Sequence, residues 1–374
     1  MDDNVIAAEA LRRFIEQAFA AAGYGGEPSA VAADVLMWAS LRGVDTHGVR
    51  NLKTYYIDRT LSGELLPGAE IRIEHATDVS ARLDGGSGLG LVGAARAMEM
   101  AIEMAQRGGV GVVAVRNTHH LGPAGYFTHL AAERGLLGAC ATGHFFGRGH
   151  AIGIAPWGCA TAMFSTNPVS FAAPCGAYPP LVLDMSTAVA TVNRIQQFAQ
   201  HGRLIPPGWA SDQFGNMTTN PTDARLLWPL GGTAELGAYK GGGLAMIATV
   251  LSGVLSGAWA AVAPVAADAQ ARGDRSTAYE QPTMGHFFAA MQVELIQPRA
   301  EFESAMEAMI DALHAAPVLD GYPRLQYPGE PEHATALMRA SRGIPVSDFV
   351  WSELQAIAER FGLALPPRRA SARA

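Results

Sequence analysis

Residues 79–115, VSARLDGGSGLGLVGAARAMEMAIEMAQRGGVGVVAV, carry the reading on which the fold turns. Alternating apolar and polar residues over 79–84 predict a strand. Apolar residues at helical spacing over 94–107 predict a helix, and the unbroken apolar run 110–115 predicts a buried strand. Together they make a βαβ-like unit. Within it, Gly88-Leu89-Gly90-Leu91-Val92-Gly93 formally matches GxGxxG, the turn that cradles the phosphates of a dinucleotide. The acidic residue that should end the next strand is missing, because Val115 is followed by Arg116 and Asn117. Arg116 could in principle meet an NADP 2′-phosphate, but six matching positions in a chain with 42 glycines are weak, and a Rossmann site is rejected.

Outward from this unit, short apolar runs at 136–142, 170–173 and 181–185 are separated by Gly/Pro turns and extend the sheet. Towards the N-terminus, 5–22 read as an amphipathic helix with Leu11, Phe14, Ile15, Ala18 and Phe19 on one face. A second helix is expected to start at Ser29, an N-cap type following Pro28, and to reach 41. Towards the C-terminus, 206–229 are loop-rich, 301–315 and 347–361 read as helices, and the arginine-bearing tail 366–374 is expected to be frayed and solvated. No internal repeat is visible.

The chain has 374 residues, 49% hydrophobic and 16% charged, which excludes a disordered protein and predicts extensive burial, including between subunits. A net charge of −7 argues against binding nucleic acid through its phosphates. Three cysteines, Cys140, Cys159 and Cys175, form no disulfide framework, and Met1-Asp2-Asp3-Asn4 does not begin like a signal peptide; a cytoplasmic protein is expected. Residues 244–265 imitate a membrane span, since no charge falls between Lys240 and Asp268. Gly241 to Gly243, Ser252, Gly253, Ser256, Gly257 and Pro264 instead favour a tightly packed helix in a core or a subunit interface, with Gly253 and Gly257 admitting another backbone.

One loop concentrates chemistry. Residues 42–51, Arg-Gly-Val-Asp-Thr-His-Gly-Val-Arg-Asn, place many functional side chains directly after a helix. By itself His47 reads as a surface or capping histidine, and Lys240, beside three glycines, as a solvated lysine or a phosphate partner. His119-His120 has no third ligand at a recognised spacing, and neighbours on a strand face opposite ways, so no metal site is expected.

Several separated motifs, in order, resemble the type 2 malate/L-lactate dehydrogenase family, which includes sulfolactate, ureidoglycolate, diketogulonate and cyclic-imine enzymes. They are Asp45-Thr46-His47-Gly48-Val49, the run from Asn117 through His119-His120 to Gly125, Pro156-Trp157-Gly158, Thr166-Asn167-Pro168, the run from Leu183 to Thr187, Pro229 to Gly232, Tyr239 to Leu244, and Pro328-Gly329-Glu330. The resemblance spans nearly the whole chain. It implies an α/β fold in which a mixed sheet is flanked by helices, a non-Rossmann NAD(P)-binding arrangement with an additional helical section, and a homodimer with active sites near the subunit boundary. Three sections are expected: a helical segment with the catalytic loop (1–75), a mixed-sheet cofactor and substrate region (76–240), and a helical segment closing the site (241–374).

The same resemblance implies a hydride transfer between NAD or NADP and a small 2-keto/2-hydroxy acid. His47 would be the proton donor or acceptor, assisted by Thr46, with His120 holding the reacting group. Cofactor contacts would fall on Leu183, Asp184, Met185, Ser186, Thr187, Tyr239, Lys240, Gly329, Glu330 and Pro331. An imidazole titrating near neutrality suits that proton transfer. Most members carry an arginine four residues after the catalytic histidine, where this chain has Asn51. Arg50, or Arg148 in the lengthened stretch 142–150, is expected to set substrate charge and shape with Asn51. Asn193-Arg194 also departs from the Gly-Lys of many relatives. Reduction of a cyclic imine, or a non-catalytic binding protein on the same fold, are the alternatives.

Overall fold

The computed structural model describes residues 4–144, 152–156, 158–258 and 284–370. Strand β1 (Asn4–Ile6) precedes helices α1 (Ala8–Ala21) and α2 (Glu27–Leu41), which pack together through Leu11, Phe14, Ile15, Val35 and Leu36. α2 begins two residues before Ser29, so Ser29 lies in its first turn and its hydroxyl donates to Gly26 O instead of capping the helix. The loop 42–51 follows, then a six-residue π-helical turn (Leu52–Ile57) running into α3 (Asp58–Leu61).

β2 (Arg72–Ala76), β3 (Ser80–Asp84), α4 (Gly90–Gly108) and β4 (Val110–Thr118) come next, and β3 and β4 pair in parallel across α4, the unit read from the sequence. Then come α5 (Ala124–Glu133), β5 (Leu136–Gly143), β6 (Gly153–Ile154), β7 (Val169–Cys175), β8 (Tyr178–Met185) and α6 (Val192–Gln200). Short strands β9 (Ala210–Ser211), β10 (Met217–Thr218) and β11 (Leu226–Leu227) form a small sheet with β6, over a separate core built on Ile195, Phe198 and Ile205. The chain continues through α7 (Ala238–Thr249), β12 (Met284–Gln292), α8 (Arg299–Ala315), α9 (Glu330–Arg342), β13 (Ile344–Val346), α10 (Asp348–Phe361) and β14 (Arg368–Ala370).

The principal sheet has seven strands in the order β2-β3-β4-β12-β5-β7-β8, and among the described strands β3–β4 is its sole parallel pair. This is the mixed, helix-flanked α/β sheet that was expected. Its central strand, β12, arrives late in the chain and went unread; a short run such as MGHFFAAMQ shows no periodicity that separates strand from helix. The tail expected to be frayed is in part ordered: its residues 368–370 form a strand, and 371–374 lie outside the described residues. β14 pairs with β1, which also pairs with β13, and Arg368 lies over the Trp351 ring while its guanidinium donates to Asp348.

α4 begins inside GxGxxG, and its Gly90 has a packing role there. A Cβ there would run into the carbonyl oxygens of His119 and His120, so the helix start is pressed against the end of β4. The apolar stretch after Gly241 packs closely through its small residues, with Gly285 of β12 against Ser252, while its large apolar side chains face outward. α7 and its π-helical extension (Val250–Val254) bury the small side chains Ala245, Ala248, Ser252 and Ser256 and leave Met246, Ile247, Val250, Val254 and Leu255 exposed. Among the described residues no helix is long and apolar enough to cross a membrane. The part of that stretch from 259 onward lies outside the described residues.

Candidate active site

The loop after α2 is held from three sides. Gly48 sits so close to Ser40 that only a glycine fits, and Ser40 Oγ accepts from Val49 N at 2.9 Å. Arg339 of α9 grips both Asp45 carboxylate oxygens, at 2.6 and 3.1 Å, and also donates to Ser40 O. Asn193 of α6 donates through Nδ2 to Thr46 O at 2.7 Å and to Asn51 Oδ1 at 3.3 Å. Between these clamps lies His47, with Thr46 Oγ1 2.9 Å from its Nδ1.

His120 comes to the same place from the end of β4. Its ring stacks on that of His47, centroids 5.7 Å apart, and Tyr55 of the π-helical turn approaches it to 4.9 Å. His120 Nδ1 accepts from Gly122 N–H at 3.2 Å, with the Tyr56 hydroxyl at 2.8 Å. A backbone N–H can only donate, so in the neutral ring the proton sits on Nε2. Burial lowers His47 to about 4, and burial together with His47 and Arg59 pushes His120 well below the usual histidine range. Both rings are therefore neutral at pH 7. His119 faces away, its Nδ1 3.8 Å from Glu64.

The residues foreseen for substrate are placed differently. Asn51 is fully buried beside the His47 loop, and among the described residues its Nδ2 has no hydrogen-bond partner. Arg50 donates to Gln200 Oε1 at 2.9 Å and stacks on Phe349, in a cleft whose walls include neither His47 nor His120. Arg148 and Trp157 lie outside the described residues. Tyr55, Tyr56 and Arg339 went unread as site residues; helical phase along 52–57 hides the two tyrosines, because a π turn shifts which side chains share a face.

Of the residues foreseen for the cofactor, Leu183, Asp184, Gly329 and Pro331 converge on one cavity of about 370 Å³. Asp184 Oδ2 accepts from Gly125 N at 2.7 Å while its carboxylate stays open to the cavity; enclosure by protein pushes it up to about 6. Met185 ends β8 next to it. Glu330 is occupied by His314, Arg324 and Tyr327 N. Ser186 and Thr187 hydroxyls donate to Thr166 O. Tyr239 and Lys240 are exposed, the ammonium 5.9 Å from its neighbour's ring. Gly241 next to them serves packing, since a Cβ would strike the backbone of Leu230. Two buried nitrogens of cavity-lining residues, Trp38 Nε1 and His129 Nδ1, have no hydrogen-bond partner among the described residues. With Asp184 open to it and α5 forming part of its wall, the cavity has the size and mixed polarity of a small-molecule site.

A family profile described as malate/L-lactate dehydrogenase matches residues 6–355. The chain belongs to this family. Malate dehydrogenase of Pyrococcus abyssi is 34% identical over 370 residues, 97% of each chain. Ureidoglycolate dehydrogenase (NAD(+)) of Escherichia coli O157:H7 is 30% identical over 351 residues, 93% of this chain and 94% of its own. The crystal structure of malate dehydrogenase from Entamoeba histolytica superposes with a TM-score of 0.87 at 28% identity, covering 98% of this chain and all of that one. Membership of the malate/L-lactate dehydrogenases makes the protein an oxidoreductase and sets aside the non-catalytic reading; it also implies a nicotinamide cofactor and a small-molecule substrate.

Proposed function

We propose that the protein transfers a hydride between NAD(P) and a small 2-keto/2-hydroxy acid, with His47 as the proton donor and acceptor. The stacked pair of His47 and His120 carries this reading: two neutral imidazoles, one with its tautomer set by the backbone, face each other where separate elements meet. The nicotinamide, when bound, supplies or accepts the hydride. The chain does the rest. His120 presents Nε2–H to the reacting oxygen and holds it. His47, neutral at pH 7, takes the hydroxyl proton during oxidation; during reduction it must first gain a proton, which an incoming anionic substrate favours. Thr46 orients the His47 ring through Nδ1. Leu183, Asp184, Met185, Ser186, Thr187, Tyr239, Lys240, Gly329, Glu330 and Pro331 would hold the cofactor.

For the substrate, the unmet Asn51 Nδ2 is a donor that a carbonyl or carboxylate oxygen would satisfy. Arg148 would supply charge, and Arg50 would join only by releasing Gln200. An unchanged KM for every acid in Arg148→Ala would remove that residue from the assignment.

We further place the protein in the cytoplasm as a homodimer. The exposed apolar face of Met246, Ile247, Val250, Val254 and Leu255 is what a second copy would cover, and all three cysteines are free. Light scattering should give twice the 39.3 kDa chain mass.

The test is NADH and NADPH oxidation against 2-keto acids, sulfonated analogues and cyclic imines, with wild type beside His47→Ala. Turnover of a keto acid that is lost in the variant is the expected result. Equal turnover in both proteins would remove His47 from the proton step, and preference for a cyclic imine would change the substrate class.

A further inference from the structure

The cavity shared by Leu183, Asp184, Gly329 and Pro331 contains side chains that the hydride and proton chemistry leaves unused. Arg42, at the C-terminal end of α2, lies 4.3 Å over the Trp38 ring and 3.1 Å from His129 Nε2. Among the described residues no carboxylate hydrogen-bonds to it. Glu332, in the first turn of α9, also lines the cavity, close enough to Arg42 to favour its charge, and no hydrogen bond engages its carboxylate among the described residues. The lining thus combines an aromatic ring covered by one guanidinium with two carboxylates, Asp184 and Glu332. Its Asp and Glu side chains outnumber its one Arg, and burial holds His129 below the usual histidine range.

Position along the fold indicates which part of a ligand this lining meets. α5 starts at Ala124, just past the His120–Gly122 corner, and carries His129 on the cavity wall. Five residues of helix advance about 7–8 Å, so the cavity lies away from the reacting histidines, along an extended molecule bound at both places. A purine stacks on such a surface, and a ribose hydroxyl donates to a free carboxylate. A phosphate dianion set against two carboxylates is repelled.

We propose that this cavity is the adenosine end of the cofactor site and that Glu332, together with Asp184, selects NADH over NADPH by accepting the ribose 2′-hydroxyl and excluding a 2′-phosphate. The inference rests on the dehydrogenase reading above. Arg42 stacks and balances Glu332, and is not the anchor of a 2′-phosphate.

Dissociation constants of NADH and NADPH for the full chain, without substrate, test this by calorimetry or by energy transfer from tryptophan to the reduced nicotinamide. NADH should bind at least about tenfold more tightly. Glu332→Gln, nearly isosteric, should shrink that ratio by roughly fivefold, mostly by improving NADPH. Arg42→Ala should weaken both nucleotides alike. Tighter NADPH binding, an unchanged ratio in Glu332→Gln, or a loss confined to NADPH in Arg42→Ala would each overturn the inference while leaving the dehydrogenase reading in place. If neither nucleotide binds, that reading falls and the inference with it.

Discussion

The imidazoles of His47 and His120 lie with their planes 19° apart and their centroids 5.7 Å apart, one from the loop after α2 and the other from the end of β4. Burial disfavours protonation of both rings, and the neighbouring His47 adds to this at His120.

Rate profiles should show this. Oxidation of a hydroxy acid needs neutral His47, held at about 4, so kcat/KM is expected to stay flat through neutral pH and fall only as the pH approaches that value. Reduction needs the protonated ring, and its kcat/KM should rise as the pH is lowered from neutrality. An oxidation limb near ~6.5, the ordinary histidine value, would mean that burial does not govern this group.

His47→Ala removes the proton carrier without touching the cavity around Asp184 and Gly329. A fall in kcat/KM of about 10²–10⁴ is expected, with the NADH dissociation constant unchanged. Fluorescence titration beside steady-state kinetics separates the two quantities; weakened NADH binding would place His47 in the cofactor site instead.

Asn193 ties α6 to the catalytic loop by donating to Thr46 O and Asn51 Oδ1 while accepting from the Tyr55 hydroxyl. Asn193→Ala should cost about 1–3 kcal/mol of stability and, by loosening Thr46 and Tyr55 together, lower kcat/KM roughly tenfold. Thermal denaturation and kinetics on the same preparation check this. Lost stability with full activity would show that the clamp does not position His47.

Two glycines of the GxGxxG run should respond oppositely to alanine. Gly90→Ala forces a methyl into the His119 and His120 carbonyls and is expected to cost at least about 3 kcal/mol or prevent folding. At Gly93 the added methyl meets Thr118 Oγ1 at an ordinary 3.6 Å, and alanine should be neutral or stabilising by up to about 1 kcal/mol. Urea unfolding of both variants gives the comparison, and a tolerated Gly90→Ala would contradict the close contact of α4 with β4.

The same buried histidines make the fold acid-sensitive. His286 is fully enclosed, its Nε2–H donating to His119 O at 3.0 Å, and burial lowers both His286 and His119 to about 4. The unfolded chain takes up these protons near ~6.5, so the native state is at full strength above that pH and loses stability as the pH falls towards about 4. Urea midpoints measured at about pH 7 and pH 5 should differ, and by less in His286→Gln. Equal midpoints would show that these rings protonate without cost in the native state.

Local pattern carried a good part of this. The alternation over 79–84, the helix after it and the apolar run from Val110 gave β3, α4 and β4 nearly in place, because each element's burial is written in its own periodicity. The motif series drew attention to His47, His120 and the Leu183–Thr187 strand end because residue types recur there in a fixed order and spacing. Tyr55, Tyr56, Arg339 and Arg42 carry no such mark; each acts through a neighbour distant in sequence. The tail looked solvated because arginines are usually so, and it became a strand only because β1 offered a free edge.

The sequence by itself determined the mixed α/β class and the family, and it singled out the loop bearing His47, all from short segments read one at a time. Only the tertiary structure decided that β12 enters the middle of the sheet, that Arg339 and Asn193 grip the His47 loop from opposite sides, and that Trp38, Arg42 and Glu332 meet around one cavity. Periodicity states which face of a segment is buried. What that face is buried against depends on edges and surfaces supplied by the rest of the chain.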